Sequence, residues 1–135
     1  IHLALQYLES GADLVALDDV IDGMGFEIFK PEIIYQALRH GDEFDNELVT
    51  RYARLNRHIF NVVKLPPPEE IKTKKFRLTV DNPEDLVVCR LVCDRFGSDL
   101  RSISLRELIS FLESAESKHF LCEKYLDEGY GTMYL

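Results

Sequence analysis

The chain has 135 residues, 46% hydrophobic and 30% charged, a balance that fits one globular domain with its own core and excludes a disordered or fibrous chain. Its 24 acidic and 16 basic residues leave a net charge of −8, which argues against a nucleic-acid groove, because neutralising a phosphate backbone needs clustered Lys and Arg. Three cysteines without C-x-x-C spacing fit a reducing compartment, read as the cytoplasm, and the absence of a signal-peptide pattern or of an apolar run near ~18 residues predicts no membrane contact.

Residues Ile1 to Leu8 open in helical periodicity, with no initiator Met and no capping residue, the pattern expected of a piece cut from a longer chain. Gly11 is placed to end this helix, and Asp13 to Leu17 follows as a short apolar strand before a loop at Asp18-Asp19. Asp22-Gly23-Met24-Gly25 supplies a tight turn. Phe26 to Phe29 is the next strand, with Glu27 on the face opposite Phe26 and Ile28. A helix from Pro31 to His40 stops at Gly41, a polar loop covers Asp42 to Asn46, and Glu47 to Asn56 reads as helix before a strand at Ile59 to Val63. Pro66-Pro67-Pro68 is a stiff connector within a single domain, residues 1–135.

Phe76, Leu78 and Val80 alternate with Arg77 and Thr79, a period-2 strand that changes to helical spacing at Pro83. Asp81 then lies at the carboxyl end of a strand, where open α/β sheets bind ligands, and Asn82, Pro83, Glu84 and Asp85 suit the first turn of a helix running to Phe96. Alternation points Arg77, Thr79 and Asp81 to one face. Arg77 there steadies a phosphate or forms a structural ion pair, the commoner arrangement on sheets. Ser104 and Glu107 form a capping box for a helix to about Leu112, and a last helix covers roughly Glu116 to Asp127. Cys89 and Cys93 fall with Leu86 and Phe96 on one helical face and read as buried reduced thiols; His2, His40, His58 and His119 have no metal or triad spacing.

Three segments, in order and spacing, carry a resemblance: Asp22 to Phe29, Glu47 to Tyr52, and Arg77 to Leu86, whose Thr-Val-Asp-x-Pro-Glu-Asp-Leu pattern is the most specific. The chain resembles the C-terminal half of the cytidylyltransferase family of spore-coat polysaccharide biosynthesis, which is related to CMP-sugar synthetases. That resemblance implies an α/β fold: part of the three-layer nucleotide-diphospho-sugar transferase fold, a mixed sheet flanked by helices, with the N-terminal nucleotide-binding half missing. It also implies a parent enzyme that transfers CMP from CTP to a sugar with release of pyrophosphate, in the service of surface or spore-coat polysaccharide. By the family's motif Asp81 is a ligand to Mg2+, and Glu27, Thr50 and Arg77 stand on the substrate side. Leu48 and Arg51 depart from the family's His and Pro, and Gly25 stands where an Asp is common. The implied partners are CTP and a sugar, with a homodimer contact at Arg57 to Leu65, and the fragment alone is expected to be inactive. The alternative is a non-catalytic assembly or binding module that kept the scaffold.

Overall fold

Four consecutive apolar residues, Leu14–Leu17, leave neither face of a strand for water, so this segment (β1) takes the middle of a sheet. The computed structural model describes residues 1–72, 76–97 and 102–114, the side chains of Asn46 and Glu47 apart, and sets β1 between β2 (Phe26–Phe29) and β3 (Val62–Lys64). β2 is antiparallel to β1, pairing Leu14 with Phe29 and Ala16 with Glu27. β3 is parallel to it, pairing Leu14 with Val62 and Ala16 with Lys64. The sheet is therefore mixed, as the resemblance implies. The described residues group in two compact units, one of residues 1–18 and 25–67 and the other of residues 19–24 and those from 68 onward.

The first unit holds the sheet and four helices: α1 (His2–Glu9), α2 (Glu32–His40), α3 (Glu43–Glu47) and α4 (Arg51–Leu55). Its core joins Leu14, Ile33, Ala53 and Phe60, with Phe29, Tyr52 and Val62 packed against them. The helix expected over Glu47 to Asn56 is reduced to α4, and the polar loop expected over Asp42 to Asn46 is instead mostly helical, as α3. Asp42 caps α3 early, its Oδ1 accepting the Asp45 amide at 2.9 Å, and Arg51 then folds back to bond Asp42 and Asp45, which breaks the helical path at Leu48. The expected strand at Ile59 to Val63 begins only at Val62, because the Asn56 carbonyl accepts the amides of Ile59 and Phe60 and holds those residues in a turn.

The second unit contains a 3-10 turn at Glu69–Ile71 and the helices α5 (Pro83–Phe96) and α6 (Leu105–Glu113). Ile21, Phe76, Val88, Val92 and Leu112 form its core, lined by Met24, Leu78, Phe96 and residues of α6. The strand expected over Phe76 to Val80 is reduced to one parallel bridge between Asp22 and Arg77, reinforced by the Leu78 amide donating to the Asp22 carbonyl at 2.8 Å. The ladder cannot extend because its partner turns away at Gly23, whose φ is +90°. Phe76 and Leu78 do point inward, but Val80 is exposed.

On α5 the buried stripe is Asp85, Val88 and Val92, not the one drawn through Leu86, Cys89 and Cys93. Both cysteines are free thiols. Cys93 is exposed and Cys89 half-buried, because the two valines, one position earlier, take the core side; burial pushes the Cys89 thiol up. Ser104 and Glu107 make the expected capping box, at 3.2 and 2.9 Å. The helix expected at Glu116 to Asp127, with His119, lies outside the described residues. No helix among the described residues is long and apolar enough to cross a membrane.

Gly23 tolerates a side chain poorly. A Cβ there would lie 3.0 Å from the Leu78 carbonyl carbon and 3.2 Å from the Thr79 methyl, on a backbone that L-residues rarely adopt. Gly23→Ala is expected to cost about 2 kcal/mol, read as a shift of the urea unfolding midpoint.

Candidate functional site

Strand register arranges one face of the sheet in rows. The first row is apolar, Phe29–Leu14–Val62, and packs into the core with Ile33 and Ala53. The next row is Glu27–Ala16–Lys64, and Asp18, two residues beyond Ala16, continues the same face at the carboxyl end of β1. Ala16 carries only a methyl group between two charged neighbours. Arg54, which follows Ala53 on α4, reaches the two carboxylates on this face, Glu27 and Asp18.

The Arg54 side chain is 2% exposed and bonds in two directions. Its Nη1 and Nη2 donate to Asp18 Oδ2 and Oδ1 at 2.8 and 2.9 Å, a bidentate fork, and its Nε donates to Glu27 Oε1 at 2.9 Å with Nη2 converging on the same oxygen. Lys64 Nζ lies 3.1 Å from Asp18 Oδ2. A chain of alternating charge thus runs Glu27, Arg54, Asp18, Lys64. Its middle is closed to water while its ends, Glu27 and Lys64, are 30% and 38% exposed.

Burial alone would push the Asp18 carboxyl up, but the hydrogen bonds from Arg54 and Lys64 outweigh it and hold the group below the usual carboxylate range. For Arg54, burial works against the charge, and the bonds to Asp18 and Glu27 overcome it and raise the guanidinium further. Both groups therefore stay ionised at neutral pH. Thr50, expected on the substrate side, is buried at 9% exposure and precedes α4, where its carbonyl accepts the Arg54 amide at 3.0 Å.

In the second unit Arg77 is the centre. Its side chain is 9% exposed, and three carboxylates lie within 4 Å: Asp81 at 2.6 Å, Asp22 at 3.3 Å and Asp85 at 3.8 Å. Its Nη2 also donates to Thr79 Oγ1 at 3.3 Å. Arg77, Thr79 and Asp81 do share one face, as alternation predicts, and the ion-pair role of Arg77 is realised. Asp81 sits in the loop before α5, and not at the end of a ladder strand. Its side chain is 63% exposed, whereas Asp22 and Asp85 are buried. Asp85 Oδ2 accepts the amides of both Asp81 and Asn82, at 3.0 and 2.9 Å, so the backbone that presents Asp81 is held from below.

Sequence reasoning missed Asp18, Arg54 and Lys64 in the first unit and Asp22 and Asp85 in the second. The signal for Asp18 was the one applied to Asp81: a carboxylate directly after a buried apolar strand. Arg54 gave none, because its partners are 27 and 36 residues away. Among the described residues no group of three or more His, Cys, Asp or Glu side chains could hold a metal ion. Asp81 offers a hard, accessible carboxylate, and magnesium is often held by one or two carboxylates with substrate phosphates completing its octahedron. The residues fit a magnesium ion to that extent: one protein ligand, Asp81, with Arg77 as its present counter-ion.

No protein-family profile matches the chain. The uncharacterized protein MJ1063 of Methanocaldococcus jannaschii is 31% identical to it over 107 residues, 78% of this chain and 43% of that protein. A solved cytidylyltransferase from Leptospira borgpetersenii superposes with a TM-score of 0.70 at 19% identity, covering 90% of this chain and 51% of that one. The chain therefore spans about half the length of the proteins it matches. The likeness establishes the fold: a mixed α/β architecture, three strands flanked by helices, that is part of a cytidylyltransferase fold.

Proposed function

We propose that this chain is the sugar-side portion of a sugar cytidylyltransferase-like enzyme, one that moves CMP from CTP to a sugar for surface or spore-coat polysaccharide. In that reaction a sugar oxygen attacks the α-phosphorus, the bond to the bridging oxygen breaks, and pyrophosphate leaves. The observation that carries the reading is the partial cytidylyltransferase fold, supported by an exposed carboxylate, Asp81, held at the start of α5. Such chemistry rests on positioning and on neutralising phosphate charge.

In this reading Asp81 is a ligand for Mg2+, which supplies charge neutralisation at the phosphates when bound. Arg77 holds the Asp81 carboxylate in place and lies where a phosphate oxygen would compete for it. Glu27 accepts hydrogen bonds from sugar hydroxyls. Thr50, with little open surface, acts by seating α4 and with it Arg54. The parent works in the cytoplasm, with CTP and the sugar as partners and a dimer contact at Arg57 to Leu65, and the chain alone is inactive because the nucleotide loop belongs to the other half of the fold. A non-catalytic binding module that kept the scaffold is the second reading.

Pyrophosphate release from CTP by the full-length protein, with a panel of acidic and neutral sugars, separates the two. Turnover by the wild type and its loss on the order of a hundredfold in Asp81→Asn are expected. Unchanged turnover in that variant removes Asp81 from the mechanism, and a wild type silent with every sugar leaves the binding module.

A further inference from the structure

The two oxygens of the Glu27 carboxylate are treated differently. Arg54 Nε and Nη2 both converge on Oε1, while Oε2 receives no hydrogen bond from any described residue, and the side chain is 30% exposed. Arg54 has no freedom to shift, because Asp18 grips it bidentately at 2.8 and 2.9 Å and both side chains are 2% exposed. We propose that Arg54, locked by Asp18, is a positioning residue: it fixes the Glu27 carboxylate so that Oε2 alone faces outward as an acceptor for a hydroxyl of a polyhydroxylated ligand. This inference rests on the reading of Glu27 as a sugar contact and deepens it.

Two physical points favour positioning over plain stability. A fully buried ion pair seldom stabilises a fold more than apolar residues of the same size, since desolvation offsets the attraction. Here Ala16, a residue without bulk, stands between Glu27 and Lys64 in register. The arrangement also has a direction. Arg54 consumes the inner oxygen of Glu27, and a carboxylate so neutralised offers a hydrogen-bond acceptor without an unbalanced charge. It suits a neutral hydroxyl donor, and as an acceptor only it has no proton to give a phosphate oxygen.

The test is steady-state kinetics on the full-length protein, with the sugar that supports pyrophosphate release from CTP. Arg54→Lys keeps the charge but loses the planar fork, and it is expected to raise KM for the sugar about tenfold while KM for CTP and kcat stay within about twofold. Glu27→Gln is expected to raise the same constant, and the double variant to be no worse than the poorer single one, because both remove one interaction. A sugar KM unchanged in Arg54→Lys, or effects that multiply in the double variant, overturns the positioning role while leaving Glu27 a sugar contact. A sugar KM unchanged in Glu27→Gln instead removes Glu27 from the sugar site and this inference with it, as does a wild type without turnover. Thermal unfolding of each variant identifies a loss of fold; if Arg54→Lys unfolds, Asp18→Asn loosens the same guanidinium and is expected to give the same selective rise.

Discussion

Replacing Arg54 by Leu is expected to destabilise the protein by about 3–5 kcal/mol at neutral pH, measured by urea unfolding. The effect is large because Asp18 stays 2% exposed and loses its bidentate partner, keeping only Lys64, while Glu27 Oε1 loses both of its donors. The pH dependence has a definite sign. In the wild type the Asp18 carboxyl lies below its ordinary value of 3.8, so it binds fewer protons folded than unfolded. Its stabilisation is present above that ordinary value and is lost as pH falls through the lower folded one. In Arg54→Leu the burial that raises Asp18 is opposed only by Lys64. The deficit of the variant should therefore be greatest near neutrality and shrink below about pH 4. A deficit independent of pH would mean that Arg54 acts through packing alone.

Leu14→Ala is the second large effect, expected at about 3 kcal/mol and within the 2–5 range of buried leucine truncations. Leu14 is fully buried in the central strand, packs with Ile33, Ala53 and Phe60, and anchors the apolar row directly beside the charged one. A collapse of this row would disturb the seat of α4, so the truncation should also weaken the hold of Arg54 on Glu27. Equilibrium unfolding with a midpoint unchanged within error would show that the row contributes nothing.

Periodicity revealed the elements whose patterns are local. The all-apolar β1, the alternation of Phe26 to Phe29 and the cap-to-cap helix Pro83–Phe96 stand where the residues place them. What was not legible depended on partners distant in sequence. The period-2 pattern from Phe76 to Val80 describes the packing of Phe76 and Leu78, but a strand also needs a neighbour, and the one available turns away at Gly23. The buried stripe of α5 is displaced by one residue because valine outcompetes cysteine for the core position.

The same distinction holds for the candidate residues of each unit. Glu27 was legible as a strand residue facing away from Phe26 and Ile28, and Asp81 as a carboxylate ahead of a capped helix. The fork that holds Glu27 was not, since α4 reaches it only through the fold. Asp85 looked like a residue suited to the helix dipole; its larger role, accepting the amides of Asp81 and Asn82, follows from the cap geometry. Local spacing therefore identified the exposed groups, and tertiary packing determined what holds them.

The claim on which the functional account rests is that Asp81 is a metal ligand next to nucleotide phosphates. Paramagnetic broadening of backbone amide NMR signals tests it most directly, in the full-length protein titrated with Mn2+ in the presence of CTP. The account predicts saturable broadening centred on Asp81, Asn82 and Arg77, removed by excess Mg2+ and absent in Asp81→Asn. Broadening that leaves these residues untouched, or that persists at the same sites in Asp81→Asn, would contradict it.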